Sequence, residues 1–193
     1  MKKILCILCL SVFYAFALKL ENLPQIMQEN IDKSLVLLQH TAKDKSKAAD
    51  GIFKLFDPIF DYKLMAKLSL SKNYDKLSAS QKAEFDTAFE AQLKASFTSK
   101  LSLYTNERIE VKKLEQKNDT RAWLHSVMVI DGEIKNIIFK FYKAKNDEWL
   151  IYDVDVLGIS IIQTYRSQFA DLFEKEGFQS LLVKLKTIDF EGK

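Results

Sequence analysis

Residues 120–158 read TRAWLHSVMVIDGEIKNIIFKFYKAKNDEWLIYDVDVLG. Apolar and polar residues alternate here with a period near 2, the repeat of a strand with two unlike faces. Asp131-Gly132 is a hairpin signal, because both central positions of a type I′ turn need positive φ. Asn118-Asp119 and Asn146-Asp147 mark two further turns. The spacing predicts four strands near 106–116, 120–130, 134–144 and 148–157, joined as an antiparallel meander. In the third, Ile137, Phe139 and Phe141 share a face opposed by Ile138, Lys140 and Tyr142. In the fourth, strict alternation sets Leu150, Tyr152, Val154 and Val156 against Trp149, Ile151, Asp153 and Asp155. One face is strongly apolar and should meet helices; the other is mixed and partly wet.

Outward from this region the period becomes helical. On the N-terminal side, a helix is predicted from about Asn22, with Pro24 in its first turn and Leu23, Met27, Ile31, Leu35 and Leu38 as its stripe. A second runs from about Ser46 to Phe56. Asp61 is a suitable N-cap for Tyr62 to Leu70. Ser78 and Gln81 form a capping box that opens a helix striped with Phe85, Phe89, Leu93, Phe97, Leu101 and Tyr104. On the C-terminal side, Gly158 ends the sheet. Ile162, Tyr165, Phe169, Leu172 and Phe173 then stripe a helix that stops at Gly177, and a last helix carries Phe178, Leu181, Leu182 and Leu185. The expected fold is α+β: a curved four-stranded antiparallel sheet, with helices packed on one face enclosing an apolar pocket.

The start of the chain reads as an export signal. Met1-Lys2-Lys3 is basic, Ile4 to Phe16 is nearly free of polar groups, and Ala15-Phe16-Ala17 fits a cleavage site. Residues 1–17 are expected to be a cleaved signal peptide, and residues 18–193 a single exported, soluble binding domain. Both cysteines, Cys6 and Cys9, lie in the leader, so the expected mature chain has no thiol, disulfide or cysteine-held metal. The whole chain carries 29 basic and 26 acidic residues, a net +3 that falls to +1 without Lys2 and Lys3. That balance argues against a nucleic-acid partner.

Little in the sequence suggests catalysis. His40 and His125 are the only histidines. Zinc and calcium spacings, a phosphate-cradling glycine loop and a nucleophile elbow are all missing from the sequence. Asp153 and Asp155 share a strand face about 7 Å apart and form the best candidate acid–base pair. Structural charges near Lys140 or Arg166 are the competing explanation. The reading is therefore of a non-enzyme without cofactor or metal.

Four segments, in order, resemble the MlaC family, also called the toluene-tolerance or ABC-transporter auxiliary family. Phe60-Asp61-Tyr62-Lys63-Leu64-Met65-Ala66-Lys67-Leu68-Ser69-Leu70 is similar to its F-D-x-x-x-M-A-K-x-x-L segment. Leu77-Ser78-Ala79-Ser80-Gln81-Lys82-Ala83-Glu84-Phe85 is similar to its L-S-P-x-Q-x-x-E-F helix start. Trp149 to Val154 with Gly158-Ile159-Ser160 is the third. Tyr165-Arg166-Ser167-Gln168-Phe169, followed by Gly177-Phe178, is the fourth. The resemblance covers about residues 20–186. The family usually has Gly after Leu70 and often Trp a few residues on, where this chain has Ser71 and Tyr74, so that loop is expected to differ in shape.

The resemblance implies a periplasmic, monomeric carrier of glycerophospholipid. The acyl chains would lie between sheet and helices, with the headgroup near solvent. The implied partners are an outer-membrane lipoprotein complex and an inner-membrane ABC transporter with an MCE-domain subunit, and the implied role is outer-membrane lipid asymmetry. Two acyl chains hold about thirty methylenes, so exposing them to water costs roughly 24 kcal/mol at ~0.8 kcal/mol each. A carrier must shield both, and loading from a bilayer is then close to neutral. Met65, Phe97, Leu101, Tyr104, Phe139, Phe141, Tyr152, Val154, Tyr165 and Phe169 are the candidate pocket walls, with ordinary core packing the competing role for each. Two other readings stay open at this point. One is a periplasmic chaperone or adaptor for apolar polypeptide. The other is a small-substrate enzyme on a cone-shaped α+β scaffold, using His125 or Asp153.

Overall fold

The computed structural model describes residues 18–41, 45–101, 107–130 and 132–185. The expected leader, residues 1–17, and Tyr104 lie outside them.

A 3-10 turn (Leu20–Asn22) leads into α1 (Leu23–His40), whose first turn contains Pro24, where a missing N–H costs nothing. α2 (Lys45–Phe56) crosses close to α1 at Gly51: a Cβ there would lie 2.8 Å from Leu37 Cδ1. In α3 (Tyr62–Leu70), Asp61 caps as expected, its Oδ1 accepting from the Leu64 N–H at 2.8 Å. A one-turn α4 (Lys72–Asp75) follows Ser71, which holds φ 53, ψ −134. That is the mirror-extended region open to glycine and strained for serine.

α5 (Ala79–Leu101) opens with the reciprocal box: the Ser78 N–H donates to Gln81 Oε1 at 2.9 Å, and the Gln81 N–H to Ser78 Oγ at 3.2 Å. α6 (Ile161–Leu185) is interrupted at Gly177 (φ 78), where the sequence predicts one helix to stop and another to begin.

The strands are β1 (Ile109–Asn118), β2 (Arg121–Ile130), β3 (Glu133–Lys143), β4 (Trp149–Val156) and β5 (Ile159–Ser160), antiparallel neighbours in that order. The meander is as expected, but it has five strands rather than four. Leu157 (φ 58) and Gly158 (φ 81) make a tight turn with both central residues at positive φ, and the chain returns for one further two-residue pairing. Such a short strand leaves no alternation to read.

A second departure lies in β4. Lys140 pairs with Asp153 but Phe141 pairs with Ile151, so Tyr152 is an extra residue, a β-bulge. The bulge flips the alternation. Trp149 and Ile151 before it, and Val154 and Val156 after it, all pack into the apolar cluster on one side of the sheet. Tyr152 instead makes an edge contact with Tyr142 at 6.2 Å, under the Arg121 guanidinium. The expected sharing of a face by Tyr152 and Val154 therefore fails.

Three apolar clusters organise the molecule. The first is a helix bundle of α3–α6 and contains no strand residue: Met65, Phe85, Phe89, Tyr165 and Phe169 are fully buried in it. The second is the inner face of the sheet under α1 and residues 56–60. The third joins the C-terminal half of α1 and α2 to the end of α5 through Leu38, Ala48, Ala49, Ile52 and Leu101. Phe56 packs against both the second and third clusters, and Phe60 and Ile161 against the first and second. No helix among the described residues is long and apolar enough to cross a membrane.

Candidate functional site

The inner face of the sheet is built in rows by the register. Ala122, Phe141 and Ile151 form one row, Leu124, Phe139 and Val154 the next, and Val111, Ser126, Ile137 and Val156 a third. The first row is fully buried, and the next two stay buried at their centres, with Phe139 and Val154 at 9% and 7% and Ser126 and Ile137 at 1% and 6%, whereas Val156 and Met128 are half-buried. At the same end of the sheet, but in register with its opposite face, lie Val129 and Ile134 of the β2–β3 hairpin, and the β4–β5 turn there carries Leu157 and Ile159. These four, between 44% and 69% exposed, make that end of the sheet the one where apolar surface reaches solvent.

α1 covers the face from the closed end outward. Its Gln28 side chain works as a short strand on the free edge of β1. Oε1 accepts from the Val111 N–H at 2.8 Å, and Nε2 donates to the Ile109 carbonyl at 3.3 Å. An edge that would otherwise offer bare peptide groups is thereby capped.

The opposite face is polar. The Asp153 carboxylate accepts from Lys140 Nζ at 2.9 Å, Ser160 Oγ at 2.7 Å and the Ile162 N–H at 3.2 Å, tying β3, β4, β5 and the start of α6 together. Lys140 Nζ also lies 3.7 Å from Asp155. The pair considered for acid–base work thus shares one lysine, and Asp153 is occupied as a helix cap. His125 Nε2 lies 3.0 Å from Glu115, whose carboxyl is held below its usual range by hydrogen bonds from Lys117 and His125. Among the described residues no group of His, Cys, Asp or Glu is placed to hold a metal ion.

Two sequence motifs turn out to be joints. Asp61, besides capping α3, accepts from the Tyr142 hydroxyl, and its N–H donates to the Ile151 carbonyl at 2.9 Å. Burial first, then that carboxylate, push the Tyr142 hydroxyl up to about 12. The Arg166 guanidinium donates twice to the Leu68 carbonyl, at 3.0 and 2.9 Å, closing the end of α3 onto α6.

The nominated wall residues divide among these regions. Phe139, Phe141 and Val154 stand together on the inner face. Met65, Tyr165 and Phe169 belong to the helix bundle. Leu101 is in the third cluster, Tyr152 on the polar face, and Tyr104 outside the described residues. Phe97 is 41% exposed beside Phe53, ring centres 5.6 Å apart.

The α5 stripe explains part of this scatter. Steps of four residues advance about 40° beyond a full turn, so the line from Phe85 to Leu101 winds roughly half-way around the helix. It starts in one cluster and ends in another. Sequence reading missed Phe56, Phe60, Ile161 and Ser126; of these, Phe60 heads a recognised motif and was the one with a signal.

The enclosed apolar pocket expected from the sequence is not what these clusters form. An open apolar groove of about 510 Å³ runs between α1 and α2 along Val36, Leu37, Gly51 and Leu55. A polar depression of about 580 Å³ lies between Lys140 and the first turns of α6. Neither opens onto the inner face, where the clusters close on one another through Phe56, Phe60 and Ile161.

Comparison with known proteins bears on what this face does. The profile of one family, described as MlaC protein, matches residues 28–187. The intermembrane phospholipid transport system binding protein MlaC of Haemophilus influenzae is 22% identical over 121 residues, covering 61% of this chain and 56% of that protein. The toluene tolerance protein ttg2D of Pseudomonas putida is 26% identical over 131 residues, covering 66% and 60%. The chain thus spans little more than half the length of these two relatives. A phospholipid-binding protein of Ralstonia solanacearum, solved in complex with a phospholipid, superposes with a TM-score of 0.73 at 19% identity, over 85% of this chain and 94% of that one.

Proposed function

The chain belongs to the MlaC family, and on that premise we propose that it is a periplasmic phospholipid carrier. It takes acyl chains between the inner sheet face and the surrounding helices. The observation that supports the reading is the run of apolar rows across the inner face, sealed at Ala122, Phe141 and Ile151 and half-buried at Met128 and Val156. Pockets that enclose a ligand of drug-like size measure roughly 300–1,000 Å³. The reading requires loading to open such a volume by parting the second and third clusters at Phe56, the side chain that packs against both. The printed names of the relatives and the bound phospholipid of the similar structure support the cargo class.

In this reading the protein works as a monomer and hands lipid between an outer-membrane lipoprotein complex and an inner-membrane MCE-domain ABC transporter. No energy source is needed in the carrier, because both endpoints shield the chains equally well. Direction comes from the transporter. The carboxylates of the polar face are engaged with Lys140, Ser160 and the start of α6, which favours the carrier over the enzyme reading.

The test is native mass spectrometry of protein purified from the periplasm without detergent, for wild type and Val154→Asp. A charge on the inner face should abolish the co-purified phospholipid mass while circular dichroism stays folded. Lipid retained by a folded Val154→Asp protein would remove the inner face as the site. A wild type that stays free of lipid after mixing with phospholipid vesicles would overturn the carrier itself, and a bound peptide mass would favour the chaperone.

A further inference from the structure

Ser126 is a buried polar residue of the inner sheet face. Its register partners are Val111 and Ile137, and its same-face neighbours on β2 are Leu124 and Met128. It is 1% exposed, and its hydroxyl has no hydrogen-bond partner. A buried hydroxyl without a partner is costly, and apolar residues of similar size are available at no such cost. The strand does not need it, because backbone pairing of β2 runs unbroken to β3 on one side.

Resting on the carrier reading above, we propose that Ser126 is a ligand-binding residue, and that its Oγ–H donates to an ester carbonyl of the bound lipid. The position suits that atom. Ser126 lies in the row between the sealed end and the solvent-exposed end, about 13 Å of strand from the end of β2 at Ile130. A lipid seated with its chains along Phe139 and Val154 and its headgroup beyond half-buried Met128 and Val156 brings its glycerol region past this row. Ester carbonyls are the hydrogen-bond acceptors that lie below the headgroup, next to the chains. In such a wall one donor fixes how deep the lipid sits and distinguishes acyl from alkyl linkage. The hydroxyl is thus satisfied in the loaded protein and unsatisfied in the empty one, so it also favours loading.

The test uses the mature protein with diacyl phosphatidylglycerol and its dialkyl ether analogue, matched in chains and headgroup. Affinities are measured by competition in native mass spectra, for wild type and Ser126→Ala. Wild type should prefer the diester by about 5-fold, the equivalent of one net hydrogen bond. Ser126→Ala should bind the two equally, and lipid-free Ser126→Ala should melt roughly 2–4 °C higher than lipid-free wild type. A wild type that binds both lipids without preference, or a preference that survives in Ser126→Ala, overturns the role of Ser126 and leaves the carrier reading intact. A lower melting temperature for lipid-free Ser126→Ala shows that the hydroxyl has a partner in the empty protein and overturns it too. A wild type that binds neither lipid overturns both.

Discussion

Phe89 in the helix bundle and Phe139 on the sheet face both point into apolar surroundings, yet their neighbourhoods differ. Phe89 is enclosed by rings: Phe85 at 6.1 Å, and Tyr165 edge-on at 5.1 Å, with Phe169 packed on both of these. The Tyr165 hydroxyl is the polar atom of this set. Phe139 sits one row from an unpartnered hydroxyl and two from half-buried Met128, under helices that meet the sheet through a few shared side chains. The bundle is a core that fixes shape. In the proposed reading the sheet face is a core that gives way to a ligand. Similar composition does not separate the two; closure does.

The largest test of this contrast is Phe89→Ala. It should destabilise the protein by about 3–5 kcal/mol in urea unfolding, the usual range for a sealed phenylalanine, while the folded fraction still carries one lipid. Phe139→Ala should cost less, about 2 kcal/mol, because the partly open site can relax, and should weaken phospholipid uptake about tenfold. If the two variants changed places, the assignment of core and site would be reversed.

The joint between the regions comes next. Asp61→Ala removes the α3 cap and the acceptor of the Tyr142 hydroxyl together, and should cost about 2 kcal/mol in the same unfolding assay. Within the bundle, Ser71→Gly should be stabilising by about 1 kcal/mol, because φ 53, ψ −134 suits glycine; the thermal midpoint reads it. The position where this chain departs from the family pattern is thus under backbone strain. Tyr74, where the family often has Trp, stays buried and bonds Asp86 at 2.9 Å.

The smallest effect near neutral pH separates the regions least. The hydroxyls of Tyr74 in the bundle and Tyr142 at the joint are raised from 10.0 to about 12, by burial first and then by their carboxylate partners. The folded protein therefore holds these protons longer than the unfolded chain does. Their stabilising contribution is complete below pH 10 and is lost as pH rises from 10 to about 12. Tyrosinate absorbance and circular dichroism should change together over that interval, and two buried tyrosines ionising near 10 in a folded protein would contradict the geometry.

Much of this architecture is legible in the sequence because local chemistry specifies it. The Ser78 box, the Asp61 cap, the Gly177 break and the meander of turns all use short-range rules, and all appear where those rules put them. β4 escaped because both of its parities are apolar, Trp149 and Ile151 on one and Val154 and Val156 on the other. A period-2 reading had no way to register the extra residue at Tyr152. The site was legible only in part. Phe139, Phe141 and Val154 follow from alternation on a sheet face. The second roles of Asp61 and Arg166, at Tyr142 and at the Leu68 carbonyl, depend on contacts across 81 and 98 residues of chain.

The central claim is that cargo is held by the sheet face and not by the helix bundle. Hydrogen–deuterium exchange of phospholipid-loaded against lipid-stripped protein tests it most directly. The account predicts that loading changes protection in β2–β4, α1, α2 and the end of α5, and leaves α3 and α6 unchanged. Changes confined to α3 and α6, with the strands unaffected, would contradict it.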